Sequence, residues 1–149
     1  MLETIEAWVE TTRLLPHLAA LGLAYLLALP IGWDREAREN TAGLRTFPLV
    51  AVATCGFIQA TEAPMGQHPD AMSKIIEGLI TGIGFIGGGA ILKNESGVRG
   101  TATAASLWAT GAIGVAVGLG SYGVAVAVAG LTFLTLRLLT AAKGDAASD

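Results

Sequence analysis

GLITGIGFIGGGAILKNESGVRGTATAASLWATGAIGVAVGLG, Gly78 to Gly120, decides the fold, because it packs 12 of the chain's 20 glycines into otherwise strongly apolar sequence. In water a mid-helix glycine costs about 0.5–1 kcal/mol relative to alanine. In lipid, small residues let helix backbones approach closely and gain packing. The stretch therefore reads as a tightly packed transmembrane hairpin.

The rest of the chain agrees. It is 149 residues long, 52% hydrophobic and 14% charged, with a mean hydropathy of +0.60, too apolar for an average soluble domain. Charges are absent from Leu14 to Trp33, from Thr46 to Thr61 and from Gly100 to Leu136, and Ile75 to Leu92 holds only Glu77. The charge-free run from Gly100 would be about 55 Å long as one helix, against a hydrocarbon core of about 30 Å. It must fold back, and GLGSYG, residues 118–123, supplies the glycine and serine for a turn.

The reading is an all-α, polytopic membrane helical bundle with five transmembrane helices: Leu14 to Trp33, Thr46 to Thr61, Lys74 to Lys93, Gly100 to Leu119 and Tyr122 to Thr140. A short outside segment (1–13), a membrane domain (14–140) and a short cytoplasmic tail (141–149) make up the chain. The N-terminus carries Glu3, Glu6 and Glu10 with only Arg13, which does not resemble the basic start of a signal peptide, so the first span is expected to be retained. Cys55, the single cysteine, suits apolar packing and rules out an intrachain disulfide.

With the N-terminus outside, Arg35, Arg38, Arg45, Lys93, Arg99, Arg137 and Lys143 fall inside, and only Arg13 and Lys74 outside. By the positive-inside rule this bias predicts an N-out, C-in topology with an odd number of spans. Trp33 and Tyr122, near span boundaries, fit the interfacial aromatic belt.

Several residues stand out as functional candidates, each beside a plainer alternative. In the first inside segment, GWDREARENTAGLRT, Asp34 with Arg38 and Arg35 with Glu39 fall at i,i+4 spacing. This is either a solvated ion-paired cap or an edge that contacts an ion or a partner. Arg45 and Thr46 precede Phe47-Pro48 at a span start, where an arginine either snorkels as an anchor or acts in function.

Glu77 is the one acid inside a predicted span, a functional candidate by default. Three residues after Lys74, it is equally placed for the headgroup region, as is His17 in the first span. Asp34, Glu36 and Glu77 could contact a magnesium ion, which keeps several waters and takes one or two carboxylates; no spacing demands it.

GIGFIG at 82–87 matches the dinucleotide fingerprint G-x-G-x-x-G in form alone, since that motif needs a preceding strand and an acid about 20 residues on. The membrane reading accounts for more: Gly78 and Gly82, Gly84 and Gly88, and Gly114 and Gly118 each form a G-x-x-x-G pair. Gly87-Gly88-Gly89 either permits a very close helix crossing or breaks a helix to line a cavity. Thr103, Ser106, Thr110 and Gly114 form a small polar stripe, read as interhelical packing ahead of a transport path. No nucleophile with a base, no histidine–cysteine cluster and no acidic cage is evident, so neither an enzyme nor a resident cofactor is expected, and nothing suggests nucleic-acid binding.

Four motifs in order resemble one family: GWDRE at 32–36, AGLRT at 42–46, GIGFIGGGAIL at 82–92, and V-x-G-x-x-TAASLWATGAIGVAVGLG from Val98 to Gly120. Together they look like the membrane domain of the MgtC/SapB family, over about residues 20–135. By motif match the resemblance singles out Asp34, Arg35, Glu36, Gly43, Arg45, Thr46, Gly82, Gly84, Gly87, Gly89, Thr103, Ser106 and Trp108. It implies a bacterial-type inner-membrane protein linked to magnesium limitation, acid or intracellular stress and virulence. Some members inhibit the F-type ATP synthase, and the resemblance does not imply direct magnesium transport.

The chain departs from the pattern in three places. Phe47 stands where a histidine is common, and Glu77-Gly78 where a small residue and glutamine are common. Only nine residues follow Thr140, where longer members carry a soluble C-terminal domain, so regulation through such a domain is not expected. The expectation is a regulator or adaptor of other membrane proteins, homodimeric through glycine faces, with a small-cation transporter or channel as the alternative.

Overall fold

The computed structural model describes residues 14–39, 42–65, 69–94 and 97–145. The outside segment expected at 1–13 and the last residues of the tail, 146–149, lie outside the described residues. Five helices follow in order: α1 (Leu14–Glu39), α2 (Thr46–Met65), α3 (Pro69–Gly89), α4 (Thr101–Gly118) and α5 (Tyr122–Asp145). A short antiparallel hairpin, β1 (Leu92–Asn94) and β2 (Gly97–Arg99), links α3 to α4, pairing Leu92 with Arg99 and Lys93 with Val98. By length and composition α1, α3, α4 and α5 can each cross a membrane, while the apolar part of α2, Thr46–Thr61, is shorter. The five expected helices are present in an all-α bundle, with the small hairpin as an addition among the described residues.

Several helix boundaries differ from expectation, α2 among them, which runs on from Thr61 to Met65. α1 continues past Trp33 to Glu39, so Asp34, Arg35 and Arg38 sit on a helix rather than in a loop. α3 starts at Pro69, not Lys74, because proline suits the first helical position and Asp70 faces the helix dipole there. It ends at Gly89, not Lys93, where the triple glycine lets the chain close with Ala90 N–H donating to Gly87 O at 3.0 Å and Ile91 N–H to Gly88 O at 3.1 Å. The expected tail also begins within a helix, since α5 runs on to Asp145.

α4 is the hub, its apolar face set against α2, α5, α3 and α1. The core combines Ala20, Ala24, Ala28 and Ile31 of α1, Phe47, Ala51 and Cys55 of α2, Leu107, Ile113 and Val117 of α4, and Ala125 and Ala129 of α5. The alanines at i, i+4 and i+8 on α1 keep that face narrow enough for close helix approach. Glycines set the α2–α4 crossing: a Cβ at Gly114 would collide with Thr54 Oγ1 and Ala51 O, and one at Gly118 with Ile58 Cβ at 2.7 Å. Gly111 faces Ile83 of α3 in the same way. Gly100, with φ of 84°, turns the chain into α4 where a Cβ would strike Ala90 O, and Gly120, with φ of 72°, makes the expected turn into α5.

α3 is the peripheral helix. Gly87 packs on Ala104 of α4, with a Cβ coming to 3.3 Å of its carbonyl, so the triple glycine both permits a close crossing and ends the helix. Gly78, Gly82, Gly84 and Gly88 meet nothing within 4 Å, so neither glycine pair of α3 is used for packing inside the bundle.

Candidate functional site

The extension of α1 past Trp33 builds a compact charged site. Asp34 and Arg35 are only 4% and 2% exposed. The Asp34 carboxylate accepts a hydrogen bond from Arg35 Nη2 and one from Arg38 Nε at 3.0 Å, the latter at the expected i,i+4 spacing. A third guanidinium comes from the other end of the sequence: Arg137 of α5 places Nε 3.4 Å from Asp34 Oδ1. Arg137 also lies over the Phe133 ring of its own helix, 5.5 Å from the centroid, a cation–π contact that holds its direction. The Glu39 side chain, expected to pair with Arg35, lies outside the described residues.

Burying an ion pair is costly unless the geometry satisfies both charges. Three cations around one carboxylate meet that condition for the acid. Sequence reasoning missed Arg137 as a member, counting it only as an inside charge. Arg137 ends a charge-free run of 37 residues and stands four residues after an aromatic, which marks the position but does not name Asp34 as its partner.

Glu36, next on α1, points the other way. Its Oε2 accepts a hydrogen bond from Leu44 N–H at 2.9 Å, reaching over Gly43. A Cβ on Gly43 would occupy the space of the Glu36 side chain, and a Cβ on Gly32 would come within 3.1 Å of Gly43 O. GWDRE and AGLRT are therefore one structural unit, with Gly32 and Gly43 letting the loop lie flat on α1. Phe47 N–H donates to Gly43 O at 3.1 Å and starts α2, burying Phe47 completely.

The other candidates are spread over the bundle. Arg45 is exposed and, with Thr46, lines one end of a groove between α2 and α3 that also includes Gly78 and Gly82. Glu77 is exposed on α3, as are Thr81, Gly84, Phe85 and Gly88. Thr103, Ser106 and Thr110 are buried in α4. The hydroxyls of Ser106 and Thr110 bond back along α4: Ser106 Oγ donates to Ala102 O at 2.8 Å and Thr110 Oγ1 to Ser106 O at 2.8 Å. Small hydroxyls satisfied this way add little width to a helix and leave the face free for packing. Trp108 is half exposed beside Gly111 and Ile83. His17 lines a separate cleft with Gln59 and Tyr122 at the far end of α1.

Among the described residues, no group of three or more His, Cys, Asp or Glu forms a metal cluster. Asp34 has its carboxylate engaged by arginines and Glu36 by a backbone amide. A magnesium ion at either would have to displace those contacts.

The fold and the charged site define a multi-pass helical membrane protein with an ion-paired end. The chain belongs to the MgtC family, whose profile matches residues 21–144. It is 40% identical over 113 residues to Protein MgtC of Salmonella typhimurium strain 14028s, covering 76% of this chain and 48% of that protein. Over 107 residues it is 41% identical to Protein MgtC of Brucella abortus strain 2308, covering 71% of this chain and 44% of that protein. The chain thus spans about half the length of the curated relatives it matches. No solved structure matches it.

Proposed function

We propose that the chain is a regulator or adaptor of other proteins in a bacterial-type inner membrane, acting in magnesium and acid-stress homeostasis through the outward face of α3. Family membership supports the setting, and Glu77 carries the mode of action. The candidate span of α3, taken from length and composition, is Asp70–Gly89, which puts Glu77 about 10 Å along the helix axis from its start.

Glu77 is exposed on the bundle surface, where a carboxylate facing lipid is penalised, by about 3 kcal/mol at the bilayer centre and less toward its faces. A partner helix with a hydrogen-bond donor relieves that penalty. Thr81, Gly84 and Gly88 follow Glu77 at i+4, i+7 and i+11, so all four share one face, with Phe85 beside them at 85% exposure. Gly84 and Gly88 give nothing to lipid and leave room for another backbone. The F-type ATP synthase, implied by the family resemblance, is one partner of the right kind; self-association through the same face would make the homodimer.

In-cell photo-crosslinking from Phe85 and Arg38 tests this. A second membrane protein captured from Phe85, and lost in Gly84→Leu, is the expected result, while a product of twice the chain's mass alone would replace the adaptor with a homodimer. A small-cation transporter is the second reading and rests on the same Glu77, since the triple glycine ends α3 instead of opening it. Magnesium flux into liposomes holding the purified protein, abolished by Glu77→Ala, would overturn the adaptor reading.

A further inference from the structure

The groove between α2 and α3 has a volume of about 670 Å3, and its one charged lining residue, Arg45, stands with Thr46 at one end. Its walls are apolar, with Leu49, Ala53 and Phe57 from α2 and Leu79 and Ile86 from α3. Thr46 to Phe57 is 11 residues, about 16 Å along α2, so the groove runs from the membrane surface about halfway through a hydrocarbon layer of about 30 Å. That is the depth of one leaflet.

Gly78 and Gly82 line it, and a Cβ at either would meet no atom within 4 Å. The protein's own packing does not require glycine at these positions; the space they leave belongs to something else. Arg45 is exposed at the mouth, with no acidic partner among the described residues. It thus differs from Arg35, Arg38 and Arg137, which share Asp34.

We infer that this groove seats an anionic phospholipid of the cytoplasmic leaflet, with an acyl chain along Gly78 and Gly82 and the phosphate paired with Arg45. Charge complementarity selects the occupant: a guanidinium at the headgroup level binds a phosphate through paired N–H donors, and the cytoplasmic leaflet carries the anionic lipids. A partner helix in the same groove would need no cation at the mouth. The inference is independent of the α3 face bearing Glu77, which points away from α2, so either can fail without the other.

The test uses the purified full chain in nanodiscs of equal phosphatidylglycerol and phosphatidylcholine, with native mass spectrometry of the lipid retained on release. Wild type retains phosphatidylglycerol in preference to phosphatidylcholine by about 5-fold, the effect of one basic side chain at an anionic surface. Arg45→Gln brings that preference close to unity. Gly82→Leu, at a position where an added Cβ meets no atom within 4 Å, fills the groove and removes retention of both lipids, while the thermal melting of the protein stays unchanged.

Lys93→Gln, on the exposed hairpin at the same end, keeps the preference. An equal loss in Lys93→Gln would mean general surface attraction and overturn the site. Retention unaffected by Gly82→Leu, or a change of oligomeric mass in Gly82→Leu without a change in lipid, would overturn it as well, the latter by giving the groove to a second copy.

Discussion

Asp34 is the residue on which the charged end depends. Its carboxylate gathers three guanidiniums from two helices, and Arg35 is as deeply buried as the acid itself. Removing one member of a buried pair costs more than the pair contributes, because the remaining charge is stranded. Asp34→Ala should therefore lower stability by roughly 3–5 kcal/mol, read as the unfolding transition in detergent. Arg137→Gln, whose side chain is 58% exposed, should cost less than about 1 kcal/mol.

Gly43 gives a second expected outcome at this scale. Gly43→Ala places a methyl in the space of the Glu36 side chain and should break the Glu36 to Leu44 hydrogen bond, costing about 1–3 kcal/mol by overpacking. A Gly43→Ala protein that melts like wild type would mean the loop lifts off α1 freely. The importance of Asp34 was legible in the sequence through its i,i+4 arginine. The Arg137 contact was not, because about 100 residues separate the two and no local period connects α1 to α5.

Among the helices, one sequence motif serves two purposes. Gly114 and Gly118 of α4 are pressed against α2, whereas Gly78, Gly82, Gly84 and Gly88 of α3 face open space. Spacing alone shows that glycines share a face but not which face the bundle covers, so the three G-x-x-x-G pairs looked alike in the sequence. Gly114→Ala should destabilise the protein by about 1–3 kcal/mol through overlap with Thr54 and Ala51. Gly84→Ala should leave stability unchanged or slightly raised, since alanine is the better helix former and nothing stands in its way. Comparing the two melting shifts checks the assignment, and equal destabilisation would contradict it.

Helix ends were less legible than helix cores, for a related reason. Hydropathy marks where lipid begins, at Lys74 and Trp33, while Pro69 and the helical continuation to Glu39 are set by backbone chemistry outside the apolar run. The hairpin after Leu92 was hidden because Ala90, Ile91 and Leu92 carry the apolar run past Gly89.

For the whole molecule, the contact between Asp34 and Arg137 limits the topology. It brings the C-terminal end of α1 and the C-terminal end of α5 to the same end of the bundle. With short connections turning each helix back on the last, only an odd number of crossings achieves this, so α2 must cross despite its shorter apolar stretch. Charge then sets the direction: Arg35, Arg38, Arg45, Lys93, Arg99 and Arg137 fall at the Asp34 end, with Lys74 at the other. By the positive-inside rule the Asp34 end is expected in the cytoplasm. A reporter active only outside the cytoplasm should work when fused near Gln67, between α2 and α3, and fail near Asn94 in the hairpin. The reverse pattern would keep the five crossings, which rest on the ion pair, and invert the orientation, which rests on the charge bias. Because Arg45 follows α1 directly at that same end, the fusion result also decides which leaflet the α2–α3 groove opens into, and hence whether the lipids reaching Arg45 are those of the anionic cytoplasmic face.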